Sequence, residues 1–345
     1  METNQTTQNF TALQLVGSPT SQFFFDLSML YAKAVVQPDG FELLFAITYP
    51  DGSWAVSKNL EETAPKITLS QMIEKVQIAD LVVPHLFCQK GLTSIRTFFE
   101  DVLNIPLIGS SGQVLSIAQN KHWTKLLAAD AAVNVPKGFR LNAPFQDRSF
   151  LARMDFPIIV KPNCTDNSDG LALVNHPEEL EEAIQAASHF DEEILVEEFI
   201  PGRELRGAVI EIKENFHTLP FIEYKVSETH PIREKKDKYK FNEQGQLLAQ
   251  SEKKQVPAQC PALIDKALQS ELSQMMIALH QRLGCRDFSM YDFRIHHQTG
   301  KPYLLEAGLF WSFSEASMIS SMLRADGKNL ETVTHQLWQQ SIRRR

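Results

Sequence analysis

Two carboxylates late in the chain, Asp292 and Glu306, have a spacing that can bind a metal ion. Strand-like residues 289–295 and 303–307 flank a turn at Thr299, and a hairpin centred there makes the two acids cross-strand partners. Directly opposed residues of an antiparallel pair project to the same face of a sheet. Two such carboxylates repel each other unless a cation lies between them, and Mg²⁺ accepts one or two carboxylates together with substrate phosphates. The pair therefore predicts a magnesium site, with two unrelated surface acids as the alternative.

Two lysines and a polar loop upstream can bind phosphate. Lys161 ends an apolar strand, where a bare ammonium group is costly to bury without an anionic partner. Lys121, on the preceding helix, is a second candidate or else a solvated helix lysine. The loop 163–170 (NCTDNSDG) offers small residues and backbone N–H groups suited to a phosphate, although it lacks the form of a P-loop. A plain turn is the alternative for this loop.

Residues 194–205 (ILVEEFIPGREL) have the form of a hinge that holds adenine. An apolar strand is followed by two acids, two apolar residues, a Pro-Gly turn and a further glutamate, Glu204. Backbone groups of residues 197–200 can meet the adenine edge, and Glu204 can accept hydrogen bonds from ribose hydroxyls; two surface acids beside a turn are the alternative. A lysine, a polar loop, a hinge and a carboxylate pair, in this order, predict a site for Mg²⁺ and ATP.

Alternating strand-like and helix-like segments predict an α/β fold with three units that position these groups. The first unit, residues 1–112, is predicted to hold a parallel sheet with helices on both faces. Its predicted elements are strands 13–16, 43–48, 81–87 and 106–108 and helix 24–35.

The second predicted unit, residues 113–197, ends at the hinge, and the third, residues 198–345, contains the carboxylate pair. The polar segment 227–254 in the third unit is interpreted as a lid, because long irregular segments in compact domains are often functional. The predicted elements of these units are helices 116–132, 177–190, 265–283 and 330–342 and strands 158–161, 194–197 and 206–212.

The composition indicates a cytoplasmic protein that binds neither nucleic acid nor membrane. The net charge of −8 argues against a nucleic-acid surface, which needs a basic footprint. The four cysteines are widely spaced without a C-x-x-C pair, which favours a reduced compartment over a zinc or disulfide site. The polar N-terminus lacks a signal pattern, and no apolar run approaches the roughly 20 residues of a membrane helix.

From about Leu13 onward, the chain resembles an ATP-grasp enzyme of the D-alanine–D-alanine ligase type. The matching pieces are IPLIGS (105–110), Lys121 with Lys125, VKP (160–162), LVEEFIPGREL (195–205), DFRI (292–295) and YLLEAG (303–308). The resemblance implies an ATP-grasp fold with an N-terminal parallel α/β domain, ATP and Mg²⁺ as cofactors, and a possible homodimer.

The resemblance also implies roles for individual residues. Phosphates would be held by Lys121, Lys161, Ser168, Gly170 and a lid lysine, either Lys238 or Lys225. Adenine would be lined by Glu197, Phe199, Ile200 and Leu305, ribose would be held by Glu204, and magnesium by Asp292 and Glu306. Ser317 matches the serine that contacts the carboxylate of the second substrate, and Asp26 lies near the acid that holds the amino group of the first.

Three departures from this ligase pattern bear on the substrate. The third metal ligand of the family, an asparagine, is Gly308 here, and the arginine that stabilises an acyl oxyanion is Met290. The loop NCTDNSDG replaces the glycine-rich phosphate loop of the family. Arg294 points to the same face as Asp292 and is the predicted substitute for part of the missing charge. These departures argue against ordinary D-alanyl–D-alanine synthesis.

Segments 23–38, 82–101 and 163–170 are most similar to the ligases of mycosporine-like amino acid biosynthesis. In that branch, ATP phosphorylates the ring carbonyl oxygen of mycosporine-glycine, and the amine of serine, threonine or another small amino acid then displaces phosphate to leave an imine. No acyl oxyanion forms, which would fit Met290. The alternatives are a D-alanine–D-alanine or other dipeptide ligase, and a nucleotide-binding protein without catalysis.

Overall fold

The computed structural model describes residues 9–60, 64–142, 149, 154–238, 256–315 and 317–344. Within these residues the strands form three sheets with helices packed on them, so the predicted α/β class is confirmed. The strands of the first sheet are β1 (Phe10–Gly17), β2 (Phe41–Thr48), β3 (Trp54–Ser57) and β4 (Leu81–Pro84). They lie in the order β3-β2-β1-β4. The predicted parallel pairing holds for β1 with β2 and β4, whereas β3 runs antiparallel to β2.

The predicted strand 106–108 is reduced to one parallel bridge, between Leu107 and Val82. Pro106 has no N–H group to donate to a sheet, which limits this short segment. The helical elements beside this sheet are α1 (Gln22–Lys33), α2 (Leu69–Val76) and two π-helical segments, Gly91–Ile95 and Phe98–Val102.

The prediction of one helix over residues 116–132 was wrong, because Asn120 divides this region into two helices. These are α3 (Gly112–Gln119) and α4 (Lys121–Asp130). Asn120 has an extended backbone, and its side chain accepts a hydrogen bond from the N–H group of Trp123. Asparagine is a favoured N-cap residue, so it begins a new helix here instead of continuing the old one. The break starts α4 at Lys121.

The second sheet is antiparallel and carries the polar loop and the strand before the hinge. Its strands are β5 (Gly138–Asn142), β6 (Ile158–Pro162), β7 (Ala172–Val174) and β8 (Glu193–Glu198). They lie in the order β5-β8-β6-β7, and α5 (Leu180–Ser188) packs on β6. A 3₁₀ turn, Pro177–Glu179, opens the region that was predicted as a single helix from Pro177.

The third sheet carries the carboxylate pair. Its strands are β9 (Gly202–Ile212), β10 (Asn215–Thr218), β11 (Ile222–Tyr224), β12 (Ala258–Gln259), β13 (Phe288–His296) and β14 (Pro302–Gly308). The order is β12-β11-β9-β13-β14, with β10 paired to β9. The helices that follow β11 along the chain are α6 (Lys235–Lys238), α7 (Lys266–Leu283), α8 (Met318–Ala325) and α9 (Leu330–Ile342). The predicted helices 265–283 and 330–342 are thus confirmed.

Asp287 ties the end of the first region to the last helix. Its carboxylate accepts hydrogen bonds from the N–H group of Gly109, at 2.6 Å, and from Gln340, at 2.6 Å, and it pairs with Arg344. Arg286 pairs with Glu100 at 2.8 Å. These contacts hold the end of the first region against the start of β13 and against α9.

The predicted lid is described only over residues 227–238, which end in α6, whereas residues 239–254 lie outside the described residues. No helix in the described part of the chain has the length and apolar character needed to cross a bilayer.

Candidate active site

The hairpin of β13 and β14 brings the predicted carboxylate pair together. Its register pairs Asp292 with Glu306, which confirms the predicted cross-strand relationship, and a bulge follows Asp292. Both carboxylates line a cleft of about 800 Å³ between the second and third sheets. Among the described residues, no cluster of three or more acidic, histidine or cysteine side chains joins them. Two oxygen donors in a lysine-lined cleft suit a magnesium ion that takes its other ligands from phosphates and water.

Asp292 has a basic partner that the sequence analysis did not identify. Arg206 lies directly across from it on β9. Its Nε and Nη2 atoms donate to the two carboxylate oxygens of Asp292, each at 2.5 Å. Burial and the nearby Glu306 raise the pKa of Asp292, although Arg206 opposes them. For Glu306, burial also acts to raise the pKa, but Lys121 and Lys238 outweigh it and lower the pKa.

Lys161 reaches the cleft, but its ammonium group is held by Glu197 at 2.9 Å. Lys125 of α4 contacts the other carboxylate oxygen of Glu197, so two buried lysines share one buried acid. Burial lowers the pKa of Lys125 to about 7 despite this partner. Burial acts to raise the pKa of Glu197, yet the two lysines lower it to about 2. The side chain of Glu197 therefore holds the two lysines in place.

Lys121 links the polar loop to the carboxylate pair. Its Nζ atom lies 3.9 Å from Glu306 and donates to the carbonyl oxygen of Thr165 in the loop. Ser168 lines the cleft and donates from its hydroxyl to the carbonyl oxygen of Arg233, at 2.8 Å. Gly170 is not among the cleft-lining residues. It has a φ of +69°, and a Cβ there would lie 2.8 Å from Pro162.

The hinge end of the cleft is lined by Phe199, Ile200 and Leu305, as the resemblance implies for adenine. Glu204 also lines it, but two arginines hold its carboxylate: Arg233 directly and Arg294 at 3.5 Å. Arg294 further donates to the carbonyl oxygen of Gly202, at 3.0 Å, and lies 5.2 Å from the ring centroid of Phe199. Arg294 therefore lies at the hinge end of the cleft.

The two candidate lid lysines lie in different surroundings. Lys238 lines the cleft, and burial together with the nearby Arg233 lowers its pKa to about 8. Lys225 has a half-exposed side chain and pairs with Glu223 at 2.6 Å, and it does not line the cleft. The geometry thus favours Lys238 over Lys225 as the lid phosphate ligand.

Two predicted substrate ligands do not line the cleft. Asp26 is half-buried on α1 and accepts a hydrogen bond from Gln22 at 2.7 Å. The hydroxyl of Ser317 is fully buried as the N-cap of α8, where it accepts a hydrogen bond from the N–H group of Ser320 at 3.3 Å. Their neighbours Leu27 and Met318 line a second cavity instead.

This second cavity, of about 1160 Å³, adjoins the carboxylate pair. Asp292, Glu306, Arg233 and Lys238 line both the cleft and the cavity, so a ligand in one meets a ligand in the other at these residues. The aromatic residues of the cavity wall are Tyr31, Phe87, Tyr224, Phe310 and Trp311. Aromatic and apolar side chains with a few convergent polar groups are the usual lining of a small-molecule site.

Met290 and Gly308, which replace the arginine and the asparagine of the ligase pattern, also line the second cavity. Trp311 covers Gly308, and its indole N–H group donates to the carbonyl oxygen of Gly308 at 3.2 Å. A Cβ atom at position 308 would lie 3.0 Å from the indole nitrogen. The glycine therefore allows Trp311 to pack against the end of β14.

A family model, curated relatives and solved structures all point to the same protein family. A family described as D-ala D-ala ligase C-terminus matches residues 133–339. The D-alanine–D-alanine ligase of Chlorobium chlorochromatii is 28% identical over 279 residues, which cover 78% of this chain and 72% of that protein. That of Pelodictyon phaeoclathratiforme is 26% identical over 309 residues, covering 84% of this chain and 81% of that protein.

Solved structures share the fold over nearly the whole chain. The VanG D-Ala:D-Ser ligase from Enterococcus faecalis superposes with a TM-score of 0.81 at 19% identity, covering 97% of this chain and 100% of that one. The D-alanine–D-alanine ligase from Bacillus anthracis complexed with ATP gives a TM-score of 0.73 at 17% identity, covering 96% and 97%. The chain belongs to the D-alanine–D-alanine ligase family of ATP-grasp enzymes, ligases that form carbon–nitrogen bonds with ATP and Mg²⁺.

Proposed function

We propose that the protein joins a small amino acid, such as serine or threonine, to mycosporine-glycine in an ATP-dependent reaction. The observation that carries this proposal is the aromatic second cavity, which suits a conjugated ring better than the methyl group of alanine. Tyr31, Phe87, Phe310 and Trp311 form a continuous series of rings, with centroids 5.1, 6.4 and 5.9 Å apart. A conjugated ring can stack on such a wall.

The replacements at Met290 and Gly308 support the same substrate. The resembled ligases use an arginine at the first position on a tetrahedral acyl intermediate, whereas imine formation has no acyl oxyanion. Met290 is buried against the cavity, where an apolar side chain suits a ring. Gly308 leaves room for Trp311, so the loss of a polar side chain at 308 extends the aromatic wall.

The cleft supplies ligands for ATP, and we assign them as follows. The phosphates contact Lys121, Lys161, Lys238 and the loop at Ser168. Adenine and ribose lie against Glu197, Phe199, Ile200, Leu305 and Glu204, all of which line the cleft. In this assignment Arg294 supports Glu204 and does not meet the acceptor, since it lies at the hinge end of the cleft.

In the proposed reaction, the γ-phosphoryl group leaves ADP and forms a P–O bond with the ring carbonyl oxygen of the acceptor. The amine nitrogen then bonds to the carbonyl carbon, the C–O bond breaks, and the oxygen departs within inorganic phosphate. The nitrogen loses one proton and remains as a protonated imine. The cleft lysines offset the charge on the transferring group, and Mg²⁺ bound at Asp292 and Glu306 supplies further positive charge.

The described part of the lid segment already contacts the phosphate loop. Lys235 pairs with Asp169 at 2.8 Å, and Ser168 donates to the carbonyl oxygen of Arg233. Such contacts close the cleft over its contents and exclude water, which protects a phosphorylated intermediate from hydrolysis.

Condensation of two amino acids is the second candidate function. The relatives named D-alanine–D-alanine ligase favour it. It predicts phosphate release with two amino acids and no ring substrate, and it gives the aromatic cavity no ring to hold.

An ultraviolet spectrum of the purified protein with ATP, Mg²⁺, mycosporine-glycine and a panel of amino acids separates these functions, with phosphate release followed in parallel. A red-shifted product band that requires ATP and one amino acid is expected. Phosphate release with D-alanine or another amino acid pair alone, without a spectral change, would replace the proposal with the dipeptide ligase.

A further inference from the structure

Arg206 is a largely buried cation in the wall of the second cavity. It lines this cavity but not the nucleotide cleft. Its side chain is 11% exposed, and its guanidinium group lies 5.1 Å from the ring centroid of Trp311 and 5.4 Å from that of Tyr224. Asp292 anchors it through two hydrogen bonds, each 2.5 Å long. Both the position and the plane of the guanidinium group are therefore fixed before a ligand binds.

The pair with Asp292 uses only part of the donor capacity of Arg206. A guanidinium group has five N–H donors, and the two hydrogen bonds to Asp292 involve Nε and Nη2. Within the described residues, no other acceptor receives a hydrogen bond from this side chain. Because Arg206 lines the second cavity, the remaining N–H groups are available to an acceptor on a ligand in that cavity.

The other described cations of the second cavity have different commitments. Arg233 is held by Glu204, and its guanidinium group lies 3.6 Å from the ring centroid of Tyr224. Lys238 lines both spaces and therefore lies where phosphates would enter. Ser317, the predicted carboxylate ligand, is fully buried in the cap of α8 and does not line the cavity. Among the described cations that line the second cavity, Arg206 is thus the one that does not also line the nucleotide cleft.

We propose that Arg206 binds the carboxylate of the acceptor substrate in the second cavity and so fixes the acceptor beside Asp292 and Glu306. The planar guanidinium group matches a carboxylate, and the flanking rings of Trp311 and Tyr224 keep water away from the pair. For mycosporine-glycine this group is the carboxylate of its glycine portion. The assignment rests on the proposed function only in taking the second cavity as the acceptor pocket.

Titration calorimetry of the full-length protein with mycosporine-glycine tests this role without catalysis. Arg206→Met keeps an apolar stem under the rings and should weaken binding by roughly 10- to 100-fold, the scale of lost hydrogen bonds to a charged group. Arg206→Lys keeps a charge beside Asp292 without the planar guanidinium group. Its affinity for mycosporine-glycine should lie between those of wild type and Arg206→Met. Arg203→Met, on the same strand but outside both cavities, is the matched control and should bind like wild type.

An analogue with methylamine in place of glycine makes the test specific to the carboxylate. It should bind wild type and Arg206→Met with equal affinity, because the group that Arg206 contacts is missing. Equal ADP affinity in all four proteins establishes that the cleft is folded. If Arg206→Met binds mycosporine-glycine like wild type, or loses affinity for the analogue just as strongly, the proposed role is overturned.

The test also separates the role of Arg206 from the identity of the acceptor. If wild type does not bind mycosporine-glycine, the proposed function fails, and the same four proteins are titrated with D-alanine and with ethylamine, which lacks the carboxylate. If Arg206→Met loses affinity for D-alanine but not for ethylamine, the carboxylate role is supported. No loss, or an equal loss for ethylamine, overturns it.

Discussion

Replacing Glu197 by glutamine tests how the cleft holds its buried lysines. Glu197 is 4% exposed in its side chain and is the shared partner of Lys125 and Lys161. The variant leaves two buried ammonium groups without their counterion and raises the net charge of the trio from +1 to +2. Removing one member of a buried ion pair costs about 3–5 kcal/mol, because the remaining charge is left uncompensated. We expect this loss of unfolding free energy at about pH 6, where both lysines are charged.

The cost should be smaller at high pH. The pKa of Lys125 is about 7, so above that pH this lysine is already neutral in the wild-type protein. Only the pair with Lys161, at 2.9 Å, is then broken by Glu197→Gln. We therefore expect the loss of stability at about pH 9 to be roughly 1–2 kcal/mol smaller than at about pH 6, since one pKa unit corresponds to about 1.4 kcal/mol.

Urea unfolding followed by far-ultraviolet circular dichroism, without nucleotide, measures both values. Glu198→Gln is the matched control, because the Glu198 carboxylate is half-buried and accepts a hydrogen bond from the N–H group of Lys137 at 2.9 Å. Its cost should stay near 1 kcal/mol. Adding Lys125→Met to Glu197→Gln restores the net charge of +1 and should recover part of the loss at low pH. Equal costs for the two glutamine variants, or a Glu197→Gln cost independent of pH, would refute the ion-trio account.

Glu306→Gln should reduce phosphate release by roughly 100- to 1,000-fold, the scale of losing one electrostatic contact to a transition state; a steady-state phosphate assay checks this, with the surface variant Glu315→Gln as control. Lys125→Met should flatten the pH dependence of stability. In the wild-type protein, Lys125 makes the unfolded state bind more protons than the folded state between pH 7 and 10.5. Wild-type stability therefore rises with pH across this window, by up to about 1.4 kcal/mol per pH unit. Urea midpoints of both proteins at several pH values measure the difference, and parallel curves would contradict the assignment. Gly207→Ala should cost about 1–3 kcal/mol of unfolding free energy by overpacking, since its Cβ would lie 2.4 Å from the sulfur of Met276. A urea midpoint equal to that of wild type would show that Met276 gives way.

Local patterns predicted the elements whose signals are contained in a short stretch of chain. The helix over residues 330–342 has the predicted bounds. The hairpin pairs Asp292 with Glu306 as predicted, but the register beside the turn pairs Phe293 with Leu304, and only the bulge after Asp292 brings this residue opposite Glu306. Turn position and side-chain alternation predict such a register to within about one residue, and the bulge accounts for the remaining shift. The single helix predicted over 116–132 failed because Asn120 acts through its capping side chain. The unit boundaries after residues 112 and 197 remain predictions.

The partners of the charged groups could not be predicted in the same way. Arg206 is 86 residues from Asp292, and Lys125 is 72 residues from Glu197. The first contact depends on the register of β9 against β13, and the second on the docking of α4 against the second sheet. No local pattern encodes either arrangement. Arg206 therefore carried no signal in the sequence, although it is the closest partner of a predicted metal ligand.

The distribution of these partners explains how so many charges can share one cleft. Asp292 pairs with Arg206, Glu306 lies near Lys121, and Glu197 joins two lysines. Each of these three acids thus has a base nearby before any ligand arrives, which reduces the cost of placing charge in the cleft. A nucleotide adds negative charge and a magnesium ion adds positive charge, so binding both together changes the net charge of the cleft less than binding the nucleotide alone. A cleft built in this way should bind the metal–nucleotide complex in preference to either component alone, because each component by itself would leave the exchanged charges unbalanced.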